Sequence, residues 1–180
     1  MTNFSKFLED DFFSSNSDST QAFNLIADGK VATNEIEKFL LQINKFGIKK
    51  KTILEAVKVF RQRMRKINFD GDAIDVCGTG GDGVNSLNVS TAVCFVLAGA
   101  GVKVAKHGNR AVSSKSGSSD LLQEIGYKID YSDDEILENL EKHNLAFLFA
   151  PNFHPAFCHV TQARKNLGIK TIFIPALTAA

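Results

Sequence analysis

The sequence predicts an α/β fold in two parts: a small N-terminal all-helical module over residues 1–66, then a parallel-sheet α/β domain over residues 67–180. Up to Lys66 the apolar residues recur at helical spacing, and beyond it short apolar runs alternate with helical patterns. Such alternation favours a parallel sheet joined by right-handed crossovers. Polar loops follow the strand-like runs, and the ligand crevice of a parallel sheet lies beyond the carboxyl ends of its strands.

Residues 1–20 begin aromatic and turn into SSNSDS, which reads as a short frayed helix and a linker. Phe23, Leu25 and Ile26 then form a helix that Asp28-Gly29 stops, because glycine takes the left-handed conformation at a helix end. Asn34 with Glu37 has the spacing of a capping box ahead of Ile36, Phe39, Leu40 and Ile43, and Gly47 closes that run. Thr52 with Glu55 repeats the device ahead of Ile53, Ala56, Val57 and Phe60. In a capping box the first side chain accepts the third residue's N–H while the acid accepts in return. Helices this short are marginal alone in water, so the three are expected to pack as one module.

In the second part, strands are expected at 73–77, 102–105, 145–149 and 170–174, with helices near 89–99, 118–125, 133–142 and 155–166. Ser132-x-x-Glu135 is another capping box and fixes the start of the third of these helices. Loops at 78–88, 106–118 and 150–154 fall at the functional end of the sheet.

Composition narrows the function. The net charge of +1 gives no electrostatic reason to expect nucleic acid or an anionic membrane as partner. No apolar run approaches the roughly 20 residues that span a bilayer, and acids interrupt the N-terminal stretch where a signal peptide needs an apolar segment. Cys77, Cys94 and Cys158 form no CxxC pair, which fits reduced thiols in a cytosolic protein. The basic groups at Lys49 to Lys51 and at Arg61, Arg63, Arg65 and Lys66 read as solvated helix faces.

The first loop, CGTGGDG, satisfies Gly78-x-Gly80-x-x-Gly83 literally. Glycines between strand and helix let backbone N–H groups approach an anion closely. A dinucleotide site also needs an acid about 20 residues further on, at the second strand; Lys106 and His107 stand there instead. A Walker A loop needs Lys after its last glycine, and Gly83 is followed by Val84. Asp82 would repel a bare phosphate unless it orients donors, accepts a ribose hydroxyl or faces a cation. Asn88, Ser90 and Thr91 are candidate caps and phosphate donors. The second loop, KHGNRAVSSKSGSSD, gathers cations and hydroxyls that suit a ligand with several phosphate oxygens. In the third, APNFHP, His154 and His159 are five positions apart, off a shared helix face and a poor metal pair.

CGTGGDG, NVST and KHGNRAVSSKSGSSDLLQEIGY, in this order, closely resemble anthranilate phosphoribosyltransferase, with similarity from about Ala22 to Phe173. The sister family of pyrimidine nucleoside phosphorylases shares the expected fold but has different loops. The resemblance implies an α/β domain of the nucleoside phosphorylase/phosphoribosyltransferase type. It also implies transfer of a phosphoribosyl group from phosphoribosyl pyrophosphate to the amine of anthranilate, in tryptophan biosynthesis. Gly78, Gly81, Asp82, Ser86, Asn88, Val89, Ser90 and Thr91 would hold phosphoribosyl pyrophosphate, together with Lys106, His107, Gly108, Asn109, Arg110, Ala111, Val112, Ser113, Ser114 and Ser118. Ser90 would also touch Mg2+. Gly78, Asn109 and Arg164 would contact anthranilate, with His107 and His154 lining its path. No acid–base or nucleophilic residue is implied: the amine attacks C1 of the ribose as pyrophosphate leaves, and positioning with charge neutralisation suffices. Ala111 replaces the Ser usual in the family. A cytoplasmic homodimer joined through the N-terminal helices is the implied assembly, with no nucleic-acid or membrane partner.

Family members continue past the TIF strand with an Asn and are nearly twice as long; here Ile174 replaces that Asn and PALTAA follows. The family's adjacent Asp-Glu pair for magnesium has no counterpart, since Asp133-Asp134-Glu135 reads as a helix start. The expectation is a domain incomplete at its C-terminus, a strand near 170–174 with an unpaired edge, and little or no transferase activity from this chain alone. Two other readings stay open: a non-catalytic module that binds a phosphate ligand, and a structural remnant that associates through helices at 19–66.

Overall fold

A computed structural model describes residues 4–15, 17–77, 88–110 and 117–173. In chain order its elements are a 3-10 turn (Phe4–Phe7), α1 (Asp10–Ser14), α2 (Thr20–Ala27), α3 (Thr33–Lys45), α4 (Lys50–Arg61), α5 (Val89–Gly99), β1 (Val104–Gly108), α6 (Ser118–Glu124), α7 (Asp133–His143), β2 (Leu145–Phe149), α8 (Ala150–Phe153), a second 3-10 turn (Pro155–Phe157) and α9 (Cys158–Leu167). A helical N-terminal part thus precedes a small parallel sheet, as the alternation of patterns predicts. By contact the chain forms two units, one joining residues up to Met64 with those from His154 on, the other running Arg65–Phe153.

The helical unit is built around phenylalanine. Ile36, Phe39, Leu40 and Ile43 form one face of α3 and are all buried, as spacings of three and four along a helix require. Phe39 meets Phe23 at 5.5 Å between ring centroids, and Phe60 meets Phe157 at 4.4 Å and Phe173 at 5.2 Å. The N-terminal stretch is packed rather than frayed: Phe4 and Phe13 lie 5.7 and 5.6 Å from Phe39. At the end of α2, Gly29 takes φ +68°, while its N–H donates to Ile26 O and that of Lys30 to Leu25 O. These two bonds are the Schellman closure that Asp28-Gly29 signals.

Two expected capping boxes do not form. The α3 helix begins at Thr33 with Ala32 as its cap, so Asn34 sits inside the first turn, and Glu37 accepts from Asn166 Nδ2 at 2.6 Å. Likewise α4 begins at Lys50, and Glu55 accepts the Ser19 backbone N–H at 3.0 Å. In both cases a partner distant in sequence takes the acid. Nor are all the basic residues solvated: Arg63 donates to Asp28 Oδ1 and Asn24 Oδ1, and Arg65 to Asp133 Oδ1.

In the other unit β1 and β2 are parallel, with register from Val104↔Leu145 to Gly108↔Phe149. Ile74 makes a single parallel bridge to Val104 on the opposite side of β1. Leu145 and Phe147 join a core with Cys94, Ala98, Val104 and Leu122, whereas Ala146 and Leu148 join one with Ile136, Leu140 and Phe153. Burial on both faces explains the unbroken apolar run LAFLF. The Ser132–Glu135 box does form, with bonds of 2.8 and 3.3 Å, and α7 ends at Asn144 in the left-handed conformation.

Four expectations are corrected. The strand expected at 73–77 reduces to the single Ile74 bridge, because Asp75 Oδ1 accepts the Cys77 N–H in place of a ladder bond. β1 covers 104–108 rather than 102–105, so Lys106, His107 and Gly108 are strand residues. The 150–154 loop is largely a helical turn. Residues 170–173 form no strand and leave no sheet edge: Ile172 and Phe173 are buried in the phenylalanine core, and Asn44 Nδ2 donates to Lys170 O at 2.9 Å. Among the described residues no helix is long and apolar enough to cross a membrane.

Candidate active site

The site is assembled at the carboxyl end of β1. Side chains alternate across a strand, so Val104, Lys106 and Gly108 point inward while Ala105 and His107 are half-buried. Lys106 is 2% exposed, and its Nζ donates to His107 O at 2.9 Å. Among the described residues no carboxylate lies within ion-pair distance of that ammonium. A buried cation is stabilised by a paired anion, so this lysine calls for one.

Gly108 is required by crowding. A Cβ built there would lie 2.6 Å from Ser118 Oγ. Ser118 opens α6 and is laced to the strand end: the Asn109 N–H donates to Ser118 Oγ at 3.3 Å, and the Ser119 N–H donates to Asn109 O at 3.2 Å. Asn109 Oδ1 accepts the Arg110 N–H at 2.8 Å, and Asp120 accepts that of Gly117 at 2.8 Å. The structure thus brings Lys106, His107, Gly108, Asn109, Arg110 and Ser118 into one continuous knot, with Arg110 exposed.

The α5 helix packs on β1 through Cys94 and Ala98, which share a core cluster with Val104. Asn88 is its N-cap; the backbone carbonyl accepts from Thr91 and Ala92, but the side chain makes no capping bond. Val89 is largely exposed, and the Ser90 carbonyl accepts from the Cys94 thiol. Thr91 is 1% exposed, and its Oγ1 has no hydrogen-bond partner among the described residues. Burial pushes the Cys94 thiol up to about 11, so it is protonated and unreactive at neutral pH.

Asp75 is the residue that sequence reasoning passed over. Its Oδ1 accepts the N–H of Cys77 at 2.9 Å and of His107 at 3.3 Å, and its Oδ2 lies 2.9 Å from His107 Nδ1. The available signal was an acid between Ile74 and Val76 at the end of an apolar run.

The remaining candidates divide in two. Gly78, Gly81, Asp82 and Ser86, and Ala111, Val112, Ser113 and Ser114, lie outside the described residues. His154 and Arg164 belong to the helical unit. There His154 is buried with its ring 5.9 Å from Phe157, and burial lowers the Arg164 guanidinium below its ordinary pKa.

Among the described residues no three His, Cys, Asp or Glu side chains gather as a metal centre. Ser90 alone is not a magnesium site: Mg2+ needs near-octahedral oxygen coordination, commonly completed by substrate phosphates and water. The described donor set does not fit a metal held by protein alone.

Residues 70–179 match the glycosyl transferase family, a/b domain. The anthranilate phosphoribosyltransferase of Pelagibacter ubique is 46% identical over 156 residues, covering 87% of this chain and 47% of that protein. The chain therefore spans about half the length of the curated relatives it matches. Among solved structures, anthranilate phosphoribosyltransferase from Thermus thermophilus superposes with TM-score 0.84 at 31% identity, covering 99% of this chain and 54% of that one. That from Saccharomyces cerevisiae, in complex with PRPP and Mg, gives TM-score 0.76 at 28% identity, covering 93% and 49%.

Proposed function

The chain belongs to the glycosyl transferase family, a/b domain, and on that premise we propose that it serves the transfer of a phosphoribosyl group from phosphoribosyl pyrophosphate to the amine of anthranilate, a step of tryptophan biosynthesis. The observation that carries the reading is buried Lys106, whose ammonium bonds a backbone carbonyl and has no carboxylate within ion-pair distance among the described residues. A diphosphate supplies the missing charge.

In this reading Asn88, Val89, Ser90 and Thr91 present a helix start to the phosphates, where orphan N–H groups and the helix dipole favour anions. Lys106, Gly108, Asn109, Arg110 and Ser118 line the facing strand end. Gly78, Gly81, Asp82 and Ser86, with Ala111 to Ser114, complete the cradle by resemblance. His107 and Asn109 meet anthranilate; for His154 and Arg164 that role rests on the resemblance alone. Mg2+ arriving with the diphosphate would spread the leaving group's charge. The protein's part is to hold the sugar phosphate in line and keep fixed donors on the departing oxygens, an electrostatic contribution that needs no acid–base dyad. A cytoplasmic homodimer through the N-terminal helices is part of the proposal.

Titration calorimetry of this chain with phosphoribosyl pyrophosphate tests the reading. Binding is expected, and K106M should weaken it by roughly 2 kcal/mol, the scale of a hydrogen bond to a charged group. No heat of binding, or equal affinity for K106M, would overturn it.

A further inference from the structure

We propose that Asp75 is a positioning residue that fixes the tautomer and placement of His107 and ties the starts of the two polar loops together. The functional consequence rests on the reading above. Asp75 has three donors around one carboxyl group. Oδ1 receives the backbone N–H groups of Cys77 and His107, and Oδ2 faces His107 Nδ1 at 2.9 Å.

Cys77 is the last residue before the glycine loop, and His107 lies one residue short of the end of β1. One side chain therefore joins the exit of β1 to the segment that follows the Ile74 bridge. The Ile74–Val104 bridge alone leaves that juncture held by a single ladder step.

A carboxylate only accepts hydrogen bonds, so a neutral His107 ring carries its proton on Nδ1. Phe153 meets the same ring edge-on at 5.9 Å, and the two contacts together restrict its rotation. An aspartate at this position therefore reads as a loop clamp and an imidazole orienter, in a site otherwise built from glycines, hydroxyls and cations.

The ring can be read directly by 15N chemical shifts of the His107 side chain, recorded at alkaline pH. The wild-type chain should show the Nδ1–H tautomer. In D75N the carbonyl oxygen stays with the two backbone donors, and the amide nitrogen is left facing Nδ1. The ring should then switch to the Nε2–H tautomer, with affinity for phosphoribosyl pyrophosphate falling roughly tenfold or more through misplacement. An Nε2–H ring in the wild type, or an unchanged tautomer in folded D75N, would overturn the assignment. The wild-type spectrum decides even if D75N does not fold. A chain that shows the expected tautomers but binds no phosphoribosyl pyrophosphate supports the clamp and counts against the transfer function.

Discussion

Thr91 carries its hydroxyl into the interior without a partner among the described residues, and a buried unpaired hydroxyl costs roughly 1–3 kcal/mol. Replacing it by an isosteric methyl should leave stability unchanged or raise it by about 1 kcal/mol. We therefore expect T91V to melt no lower than wild type while losing affinity for phosphoribosyl pyrophosphate. A lower melting temperature in T91V would mean that the hydroxyl serves the fold. Gly108 is the complementary case, because any Cβ meets Ser118 Oγ at 2.6 Å. G108A should destabilise by about 1–3 kcal/mol through overpacking, and S118A in the same chain should recover part of it. A double-mutant cycle by urea unfolding measures that coupling. Both residues stood in motifs legible in the sequence, but the motif shows neither the orphan hydroxyl nor the crowding. Asp75 was illegible for another reason: one acid beside a strand has no periodic signal, and its meaning lies in a histidine 32 residues away.

At the scale of single elements, the capping boxes show what a local pattern can and cannot decide. Three carry the spacing, and only Ser132–Glu135 closes, because Glu37 and Glu55 are claimed by Asn166 and by the Ser19 backbone. A helix start was legible in all three cases to within a few residues, whereas the bond making it depends on neighbours that spacing omits. The closed box has a measurable pH signature. Hydrogen bonds from Lys128 and from Ser132 hold the Glu135 carboxyl down to about 2. A carboxyl depressed in the folded state stabilises fully above its ordinary value and loses that contribution as pH falls through the folded value. The acid limb of thermal stability, between about pH 4.5 and 2, should therefore flatten in E135Q, which retains a side-chain acceptor for the box. S132A should cost about 1 kcal/mol at neutral pH, read as a lower urea midpoint. β1 was misplaced because its buried alternate positions are Val, Lys and Gly, a pattern that does not look hydrophobic. The same burial holds the Lys106 side chain against the His107 carbonyl.

For the molecule as a whole, alternation of strands and helices made the fold class legible, but not the association of residues from His154 on with the N-terminal helices. Ile172 and Phe173 read as a strand by β-branching and aromatic content, yet they serve a helical core. F173A should cost about 3–5 kcal/mol, a large part of the stability of an ordinary domain, and should appear first as proteolysis of the helices before Met64. That core has a consequence for synthesis on the ribosome. Its first portion, through Met64, emerges about ninety residues before its last portion begins at His154. At translation rates of about 5–20 residues per second the early helices wait roughly 5–20 s for their partners. During that interval Phe23 lacks its partner Phe173, and Phe60 lacks Phe157 and Phe173, which makes the nascent chain a natural client for a holding chaperone.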